Sequence, residues 1–270
     1  MSDQRFVFLI GAARSGTKFL RDTLAASSDI AEIPYDINYV WRHGNERCPH
    51  DELGPEDIDD RTADHIRKTI ERLAMKGRET TPPIILEKTV SNTLRVDMIR
   101  RVFPEAEFIR LERNGLDVVE SSYRQWTMPP DRSYLVEKLR YFPVREWRYA
   151  LWFAQNMLSR SDAPAIWGPR YDGIERDVSE LGTAQTCARQ WERSVVLSRA
   201  QSGDDTETVH YDHLSSEDGM SRLIRRLDIA DPEIVLAKFE SSFNRFSTWP
   251  GKVPEADREA VESIVNTVPN

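Results

Sequence analysis

A glycine-containing stretch near the N-terminus has the residues to bind an anion. It spans residues 11–20, reads GAARSGTKFL and directly follows an apolar run. Glycines let backbone N–H groups approach a phosphate closely, and the N-terminus of a following helix attracts negative charge. Arg14 adds a permanent cation, while Ser15, Thr17 and Lys18 add side-chain donors. The stretch therefore predicts a site for a phosphate or sulfuryl group, with a plain strand-to-helix turn as the structural alternative.

The same stretch departs from the P-loop of nucleotide triphosphatases. That loop reads G-x-x-x-x-G-K-[ST], and its lysine reaches the terminal phosphates while the following hydroxyl holds magnesium. Gly11 and Gly16 have the matching separation, but Thr17 stands at the position of the lysine and Lys18 comes one residue late. Phe19 follows and cannot ligate a metal. We therefore expect an anion site that works without magnesium.

Arg113 and Ser121 are spaced so that both could reach one anion. Arg113 follows a β-forming run at 106–112, and Ser121 lies eight residues later in a helical pattern. A strand end and a position well inside the next helix can both reach one anion near the N-terminal half of that helix. Taken singly, Arg113 could instead pair with Asp117 on the surface, and Ser121 could be an ordinary mid-helix serine. The combination with the glycine stretch favours a ligand.

The elements that must position these residues alternate between strand and helix. Compact runs of β-forming residues are followed by helical periodicities, which predicts a parallel sheet with helices on both faces. No linker or repeat interrupts the chain, so we predict one α/β domain over residues 1–270. At the carboxyl ends of such strands, the loops at 11–17, 87–92 and 112–115 would converge on one ligand site. The strands are predicted at 5–10, 83–88, 106–112 and 207–214.

The segments between these elements carry weaker patterns. Residues 30–41 indicate a loop or short strand, and the acidic stretch at 43–60, with its prolines, indicates a mobile excursion over the surface. The aromatic-rich stretch from Tyr134 to Leu158 is interrupted by charged residues, so it predicts an amphipathic helix packed on the protein. No segment approaches the roughly 18 continuous apolar residues of a membrane span.

Composition narrows the class of protein. The chain of 270 residues is 39% hydrophobic, and its net charge of −8 argues against a nucleic-acid coat or a membrane-surface protein. The two cysteines, Cys48 and Cys187, are too few for a disulfide framework and fit a reducing compartment. We expect no signal peptide and a cytoplasmic location. The spacing of His43, Cys48 and His50 fits no common zinc site, so we expect no metal.

The glycine stretch and the segment around Arg113 together resemble one enzyme family. GAARSGTKFL is similar to the loop that binds the 5′-sulfate and phosphate in sulfotransferases using 3′-phosphoadenosine 5′-phosphosulfate (PAPS), although Lys18 stands where a second threonine is commoner. FPEAEFIRLERNGLDVVESSYRQW at 103–126 resembles the 3′-phosphate motif of that family, in which an arginine and a serine eight residues later hold the phosphate. The resemblance implies that Arg113 and Ser121 have this role.

Three shorter segments extend the resemblance along the chain. LEKT at 86–89 resembles the lysine-bearing strand end of the family, and HYDHLSSEDG at 210–219 resembles its Y-E-D-L segment. FSTWPGKVPE at 246–255 is similar to the S-K-W-x-G-K-I-P segment of the tyrosylprotein branch, and its Ser247 and Lys252 would close over the 3′-phosphate. The resemblance implies a P-loop-like sulfotransferase fold, PAPS as co-substrate and no metal.

The resemblance also implies roles for residues around the transferred group. Arg14 and Lys88 would stabilise the charge that develops on the sulfuryl and bridging oxygens during transfer. The 5′-phosphate would be held by the loop amides and side chains of Ser15, Gly16, Thr17 and Lys18.

The resemblance also implies where the base that takes the proton of the acceptor lies. In the tyrosylprotein and several bacterial branches it is a glutamate about twenty residues past the loop arginine, whereas cytosolic small-molecule enzymes use a histidine in the K-x-H region. Val90 stands at the position of that histidine, two residues after Lys88, so the histidine version is absent. Counting from Arg14 leads to Asp36 as first candidate and Glu32 as second, although Asp36 could instead cap a turn.

The acceptor and two other functions stay open at the level of sequence. Acceptor contacts would fall in the variable segments 36–80 and 127–180, and a carbohydrate or a small hydroxylated metabolite is favoured. The oligomeric state carries no signal. An ATP-dependent small-molecule kinase is the alternative enzyme, but it predicts a lysine in place of Thr17 and an acidic strand end for magnesium. In a non-catalytic nucleotide-binding module, the candidate base and lysine would be dispensable.

Overall fold

The computed structural model describes residues 4–33, 35–80, 82–128, 166–216, 218–244 and 247–269. The helix expected between Tyr134 and Leu158 lies outside this part of the chain. Strands and helices alternate through most of the described chain, as the apolar periodicity predicts.

The sheet contains five strands, β1 (Arg5–Ile10), β2 (Ile30–Glu32), β3 (Ile84–Glu87), β4 (Glu107–Glu112) and β5 (Thr206–His210). They lie in the spatial order β2-β3-β1-β4-β5, and every neighbouring pair is parallel. The predicted α/β fold with a central parallel sheet is therefore confirmed. Two details sharpen the sequence prediction. Part of 30–41 is a short strand, and β5 ends before 214 because Tyr211–His213 forms a 3-10 turn.

Helices connect the strands and follow them toward the C-terminus. The α-helices of the described chain are α1 (Thr17–Leu24), α2 (Asn38–Trp41), α3 (Asp60–Ala74), α4 (Val96–Val102), α5 (Gly115–Thr127), α6 (Ile174–Ala200), α7 (Gly219–Leu227), α8 (Pro232–Ser242) and α9 (Glu255–Val265). Short 3-10 helices occur at Pro55–Asp57 and Val90–Leu94. Within the described ranges, none of the helices combines the length and the apolar character needed to cross a bilayer.

Strand β1 is the centre of two apolar cores. Successive residues of a strand point to opposite faces, so β1 supplies both sides of the sheet. Phe6, Phe8 and Ile10 pack with residues of α2, α3 and α4 on one face. Val7 and Leu9 pack with residues of α1, α7 and α8 on the other. Burial on both faces explains why β1 reads as a continuous apolar run in the sequence.

The segment at 43–60 differs from the expected surface excursion. Asp51 is only 1% exposed, and both of its carboxylate oxygens accept hydrogen bonds inside the protein. The surface prediction is therefore wrong around Asp51, because one buried carboxylate anchors a stretch whose composition is otherwise that of a loop. Its hydrogen-bond donors are Arg42 Nη1 at 2.8 Å, Asn38 Nδ2 at 3.0 Å, Ser91 Oγ at 2.8 Å and the Arg170 amide at 2.9 Å.

We expect Asp51→Ala to lower the free energy of unfolding by about 3–5 kcal/mol, because Arg42 would keep a buried charge without its partner. Urea denaturation followed by circular dichroism measures the change. Asp64→Ala is the matched control: its ion pair with Lys68 is exposed, with 70% of each side chain open to solvent, and should contribute less than about 1 kcal/mol. Equal losses in the two variants would contradict an anchoring role for Asp51.

Candidate active site

The loop between β1 and α1 has the geometry of an anion-binding loop. Gly16 precedes α1 with φ of 104°, a conformation that favours glycine. Arg14 also has a positive φ, 71°. The backbone N–H groups of Gly16, Thr17 and Lys18 donate to no acceptor in the part of the chain that the structure describes. Unpaired N–H groups at a helix N-terminus attract an anion.

Two side chains of this loop have contrasting surroundings. Ser15 is 1% exposed, and its hydroxyl has no hydrogen-bond partner among the residues that the structure describes. A buried hydroxyl without a partner is costly, which fits a ligand that supplies the missing bond. Lys18 instead donates to Asp22 at 2.5 Å, one turn along α1, and its side chain is 74% exposed. The Lys18 side chain thus stabilises the helix, while its backbone amide stays available.

The second anion motif meets the first loop directly. Asn114 caps the start of α5 by accepting from the amides of Leu116 and Asp117, at 3.0 and 3.3 Å. Farther along α5, Ser121 Oγ accepts a hydrogen bond of 3.0 Å from Arg14 Nε. Residues 107 positions apart in sequence therefore share one site. Arg14, which is predicted to act at the sulfuryl group, is therefore hydrogen-bonded to Ser121, the residue predicted to bind the 3′-phosphate.

Tyr211 links the two motifs, although the sequence patterns assigned it no role. A Cβ atom on Gly16 would lie 2.5 Å from Tyr211 Cε2, so the ring packs directly on the loop. The guanidinium carbon of Arg113 lies 4.8 Å from the centre of the same ring, within cation–π distance. The signal that could have found Tyr211 is its place directly after β5 in the Y-E-D-L-like segment.

Positive charge is concentrated where these motifs meet. Desolvation lowers the pKa of Arg14, and the positive charges of Arg124 and Arg113 lower it further. Neighbouring guanidinium groups repel one another, and a bound anion would relieve that repulsion. The electrostatics therefore favour a negatively charged ligand between the loop and α5.

Lys88 and Asp36 come together at the ends of β3 and β2. Asp36 Oδ2 accepts from the Val90 amide at 3.1 Å, and Thr89 Oγ1 accepts from the Ile37 amide at 3.1 Å. These two bonds run in opposite directions and fix the segment after β2 against the segment after β3. Asp36 Oδ1 also accepts a hydrogen bond of 3.1 Å from the backbone amide of Asn38, so the carboxylate does cap a turn.

The ammonium group of Lys88 is held close to carboxylates without forming a hydrogen bond to any described residue. Burial lowers the pKa of Lys88, and the negative charge of Asp36 is the strongest opposing influence. Each Asp36 oxygen keeps a second lone pair for a further donor. The pair can therefore offer a cation and a proton acceptor to the same ligand.

Glu32, the second candidate base, lies in different surroundings. Its Oε2 lies 2.9 Å from Arg21 Nε without the geometry of a hydrogen bond. Burial raises the pKa of Glu32, and the positive charge of Arg21 opposes the rise. Glu32 lines a cleft of about 400 Å³ with Tyr35 and Arg78. Of the two candidate bases, Asp36 is the one whose negative charge acts on Lys88.

Glu87 is a buried acid that the sequence patterns did not single out. Its Oε1 accepts from Thr89 Oγ1 at 2.5 Å, and its Oε2 accepts from Asn92 Nδ2 at 2.7 Å. Burial raises the pKa of Glu87 to about 7, despite the hydrogen bond from Thr89. Because Thr89 also binds the Ile37 amide, Glu87 supports the contact that fixes the segment carrying Asp36.

The C-terminal segment with Ser247 and Lys252 is attached to α5 by two carboxylates. Asp117 Oδ1 accepts from Ser247 Oγ at 2.7 Å, so Asp117 binds this segment. Glu120 accepts from the backbone amide of Lys252 at 2.9 Å on both oxygens. The structure thus brings both predicted residues to the helix that carries Ser121. The Ser247 hydroxyl is already hydrogen-bonded, and the Lys252 side chain is exposed.

No metal cluster is apparent in the described ranges, where no three or more His, Cys, Asp and Glu side chains gather as possible ligands. Cys48 and Cys187 are both free thiols.

Comparisons with known proteins give a family and a fold. A family model described as "Sulfotransferase family" matches residues 7–169, more than half of the chain. Sulfotransferase STF9 from Mycobacterium avium is 12% identical, with a TM-score of 0.56 over 99% of this chain and 76% of that chain. This likeness supports the shared fold. No curated protein matches the sequence at a significant level.

Two further solved structures are similar at lower TM-scores. A sulfotransferase from Alicyclobacillus acidocaldarius is 17% identical, with a TM-score of 0.46 over 99% of this chain and 93% of that chain. Mouse sulfotransferase SULT7A1, complexed with PAP, is 11% identical, with a TM-score of 0.47 over 96% of this chain and 82% of that chain.

We expect Glu87 to make the protein less stable as the pH rises. Its folded pKa of about 7 exceeds the ordinary value of 4.5, so the folded state binds more protons between these values. The stabilisation is complete below the ordinary value and is lost as the pH passes the folded pKa, at up to about 1.4 kcal/mol per pH unit. Urea denaturation at a series of pH values measures this change. The free energy of unfolding should decline less with rising pH in Glu87→Gln than in the parent protein.

The control for this experiment is Glu259→Gln, which changes an exposed glutamate of α9 and should leave the pH dependence of the parent protein intact. A Glu87→Gln protein with the same pH dependence as the parent would contradict a raised pKa at Glu87.

Proposed function

The chain belongs to the sulfotransferase family, and we propose that it moves the sulfuryl group of PAPS to a hydroxyl group of an acceptor. The observation that supports this most strongly is the meeting of two anion-binding motifs through the hydrogen bond between Arg14 and Ser121. PAPS carries anionic groups at both its 5′ and 3′ positions, so a protein that binds it needs two such motifs at one site.

The residues of the site fit this donor. The unpaired amides at the start of α1 and the orphaned hydroxyl of Ser15 suit the 5′-phosphate. Arg113 and Ser121 suit the 3′-phosphate, since an arginine and a hydroxyl can bind neighbouring oxygens of one group. Lys18 contributes its amide in this proposal, because its ammonium group pairs with Asp22. Donor binding of this kind requires no metal.

Lys88 and Asp36 provide the chemistry of transfer. PAPS supplies a sulfuryl group that is already activated by its bond to the 5′-phosphate. Asp36 takes the proton of the acceptor hydroxyl as the new sulfur–oxygen bond forms and the bond to the 5′-phosphate oxygen breaks. The Lys88 ammonium donates a hydrogen bond to the oxygen on which negative charge develops. The products are a sulfate ester and PAP, the desulfated nucleotide.

The assignment of Arg14 follows its contacts. Its Nε is hydrogen-bonded to Ser121 and its charge adds to those of Arg113 and Arg124. We therefore propose that Arg14 binds between the two phosphates of the donor, and that Lys88 carries most of the charge stabilisation at the sulfuryl group. Ser247 and Lys252 would approach the 3′-phosphate from the segment that Asp117 and Glu120 hold.

For the acceptor we propose a carbohydrate or a small hydroxylated metabolite. The cleft of about 400 Å³ beside β2 has a size suited to one such ring. Its lining combines apolar residues with charged ones that can hydrogen-bond hydroxyl groups, and Tyr35 connects it in sequence to Asp36. The lining residues include Glu32, Ile33, Tyr35, Leu73, Lys76 and Arg78.

We expect the protein to bind PAP without metal and to prefer it to ADP with magnesium. Calorimetric titration with each nucleotide measures the preference. Arg113→Ala should weaken PAP binding by about 10- to 100-fold, because a charge-assisted hydrogen bond is removed. Arg101→Ala is the matched control, since Arg101 lies in the last turn of α4 and pairs with the exposed Asp60 of α3. A preference for ADP with magnesium would favour a kinase and reject this proposal.

We expect Asp36→Asn to lower kcat by about 10²- to 10⁴-fold, because the variant cannot take the acceptor proton. Glu32→Gln should retain kcat within a few-fold and change mainly the KM for the acceptor. Transfer of labelled sulfate from PAPS, measured across a panel of hydroxylated acceptors, separates the two effects. PAP affinity serves as the control and should stay near the parent value in both variants. Loss of kcat in Glu32→Gln alone would reverse the assignment of the base.

A further inference from the structure

Arg124 is a half-buried arginine whose guanidinium has no hydrogen bond or ion pair to any residue in the described ranges. A charged group that is partly removed from water is costly unless an opposite charge or a hydrogen-bond acceptor compensates it. In the described chain, arginines with comparable burial are commonly paired with carboxylates, for example Arg5 with Glu107 and Arg100 with Asp205. The position of Arg124 therefore suggests a partner that is not part of the protein.

The location of Arg124 identifies the site it serves. It lies three residues after Ser121 on α5, a spacing that puts two side chains on the same face of a helix. Ser121 is the residue whose hydroxyl accepts from Arg14. Arg124 and Arg113 are also the two charges that act on Arg14, with Arg124 the stronger. Arg14 thus contacts the Ser121 hydroxyl, and the charges of Arg124 and Arg113 both act on Arg14.

The described residues supply little compensation for the charges of Arg14 and Arg124. No carboxylate lies within ion-pair distance of Arg14 or Arg124 in the part of the chain described. The carboxylates that α5 carries on its first turns, Asp117 and Glu120, bind backbone amides of the C-terminal segment instead. A bound anion is therefore the natural partner of Arg14 and Arg124.

We propose that Arg124 binds the 3′-phosphate of the donor together with Arg113 and Ser121. This assignment rests on the proposed function. A phosphate monoester carries a charge of about −1.5 to −2 at neutral pH, more than one arginine can neutralise. A third cation near Ser121 suits that charge, whereas the 5′ end of the donor is served by amides of the first loop.

The assignment gives Arg124 a role in specificity. Nucleotides that lack a 3′-phosphate would leave the arginines repelling one another, whereas a 3′-phosphate relieves the repulsion. Arg124 therefore increases the discrimination between PAP and adenosine 5′-monophosphate (AMP) and has little effect on binding of the part that the two nucleotides share.

The test is calorimetric titration of the full chain with PAP and with AMP, which differ by the 3′-phosphate alone. Arg124→Gln should weaken PAP binding about tenfold, which equals about 1.4 kcal/mol, while the affinity for AMP changes less than about twofold. Arg124→Lys retains the charge and should recover part of the PAP affinity. The dependence of PAP binding on salt should also become weaker in Arg124→Gln, because one charge contact is lost.

Gln125→Ala changes the next residue of the same helix and should leave both affinities unchanged, which controls for effects on the packing of α5. Equal losses for PAP and AMP in Arg124→Gln, or no loss for PAP, would overturn the assignment while the proposed function stands. A parent protein that does not prefer PAP to AMP would overturn the proposed function and this assignment with it.

Discussion

The parallel register of β1 with its two neighbours is the constraint on which the candidate site depends. Phe8 of β1 lies opposite Glu87 of β3 and Phe108 of β4, so the ends of these strands come to the same edge of the sheet. The loop with Gly16, the lysine-bearing end of β3 and the start of α5 all follow from this alignment. A slip by one residue would turn every side chain of a strand to the other face, and the apolar cores on both sides oppose such a slip.

Electrostatics separate the arginines that hold the protein together from those that would hold a ligand. The chain is acidic overall, with a net charge of −8, and carboxylates are available throughout the sequence. The region around Ser121 is an exception, since Arg14 and Arg124 have no described carboxylate beside them. The repulsion that this arrangement creates in the absence of ligand is the free energy that an anion recovers on binding. Structural ion pairs elsewhere include Arg5–Glu107, Arg100–Asp205 and Arg199–Glu112.

Beneath Lys88 and Asp36 lies a polar network that is costly to bury and that is almost fully hydrogen-bonded. Glu87 receives bonds from Thr89 and Asn92, and Arg95 donates to Asn92 Oδ1 at 3.1 Å. Such a network contributes little net stability compared with an apolar core, but it holds its members in one arrangement. The buried acids and arginines thus position the pair that would face a ligand, and the raised pKa of Glu87 links the stability of the protein to pH.

Sequence patterns by themselves determined four of the five strands, the phosphate-type loop, and the spacing of Arg113 and Ser121, because hydrophobic periodicity and short motifs are local properties of the chain. They ranked Asp36 ahead of Glu32 only by counting from Arg14, and they did not reveal Tyr211, Glu87, Arg124 or the burial of Asp51. Those features arise from contacts between segments far apart in sequence, such as the one between Arg14 and Ser121 across 107 positions. Only the packing of the sheet and its helices decides which of several chemically similar side chains share an environment, since a carboxylate or arginine looks the same in a sequence whether it is solvated, buried or facing a ligand.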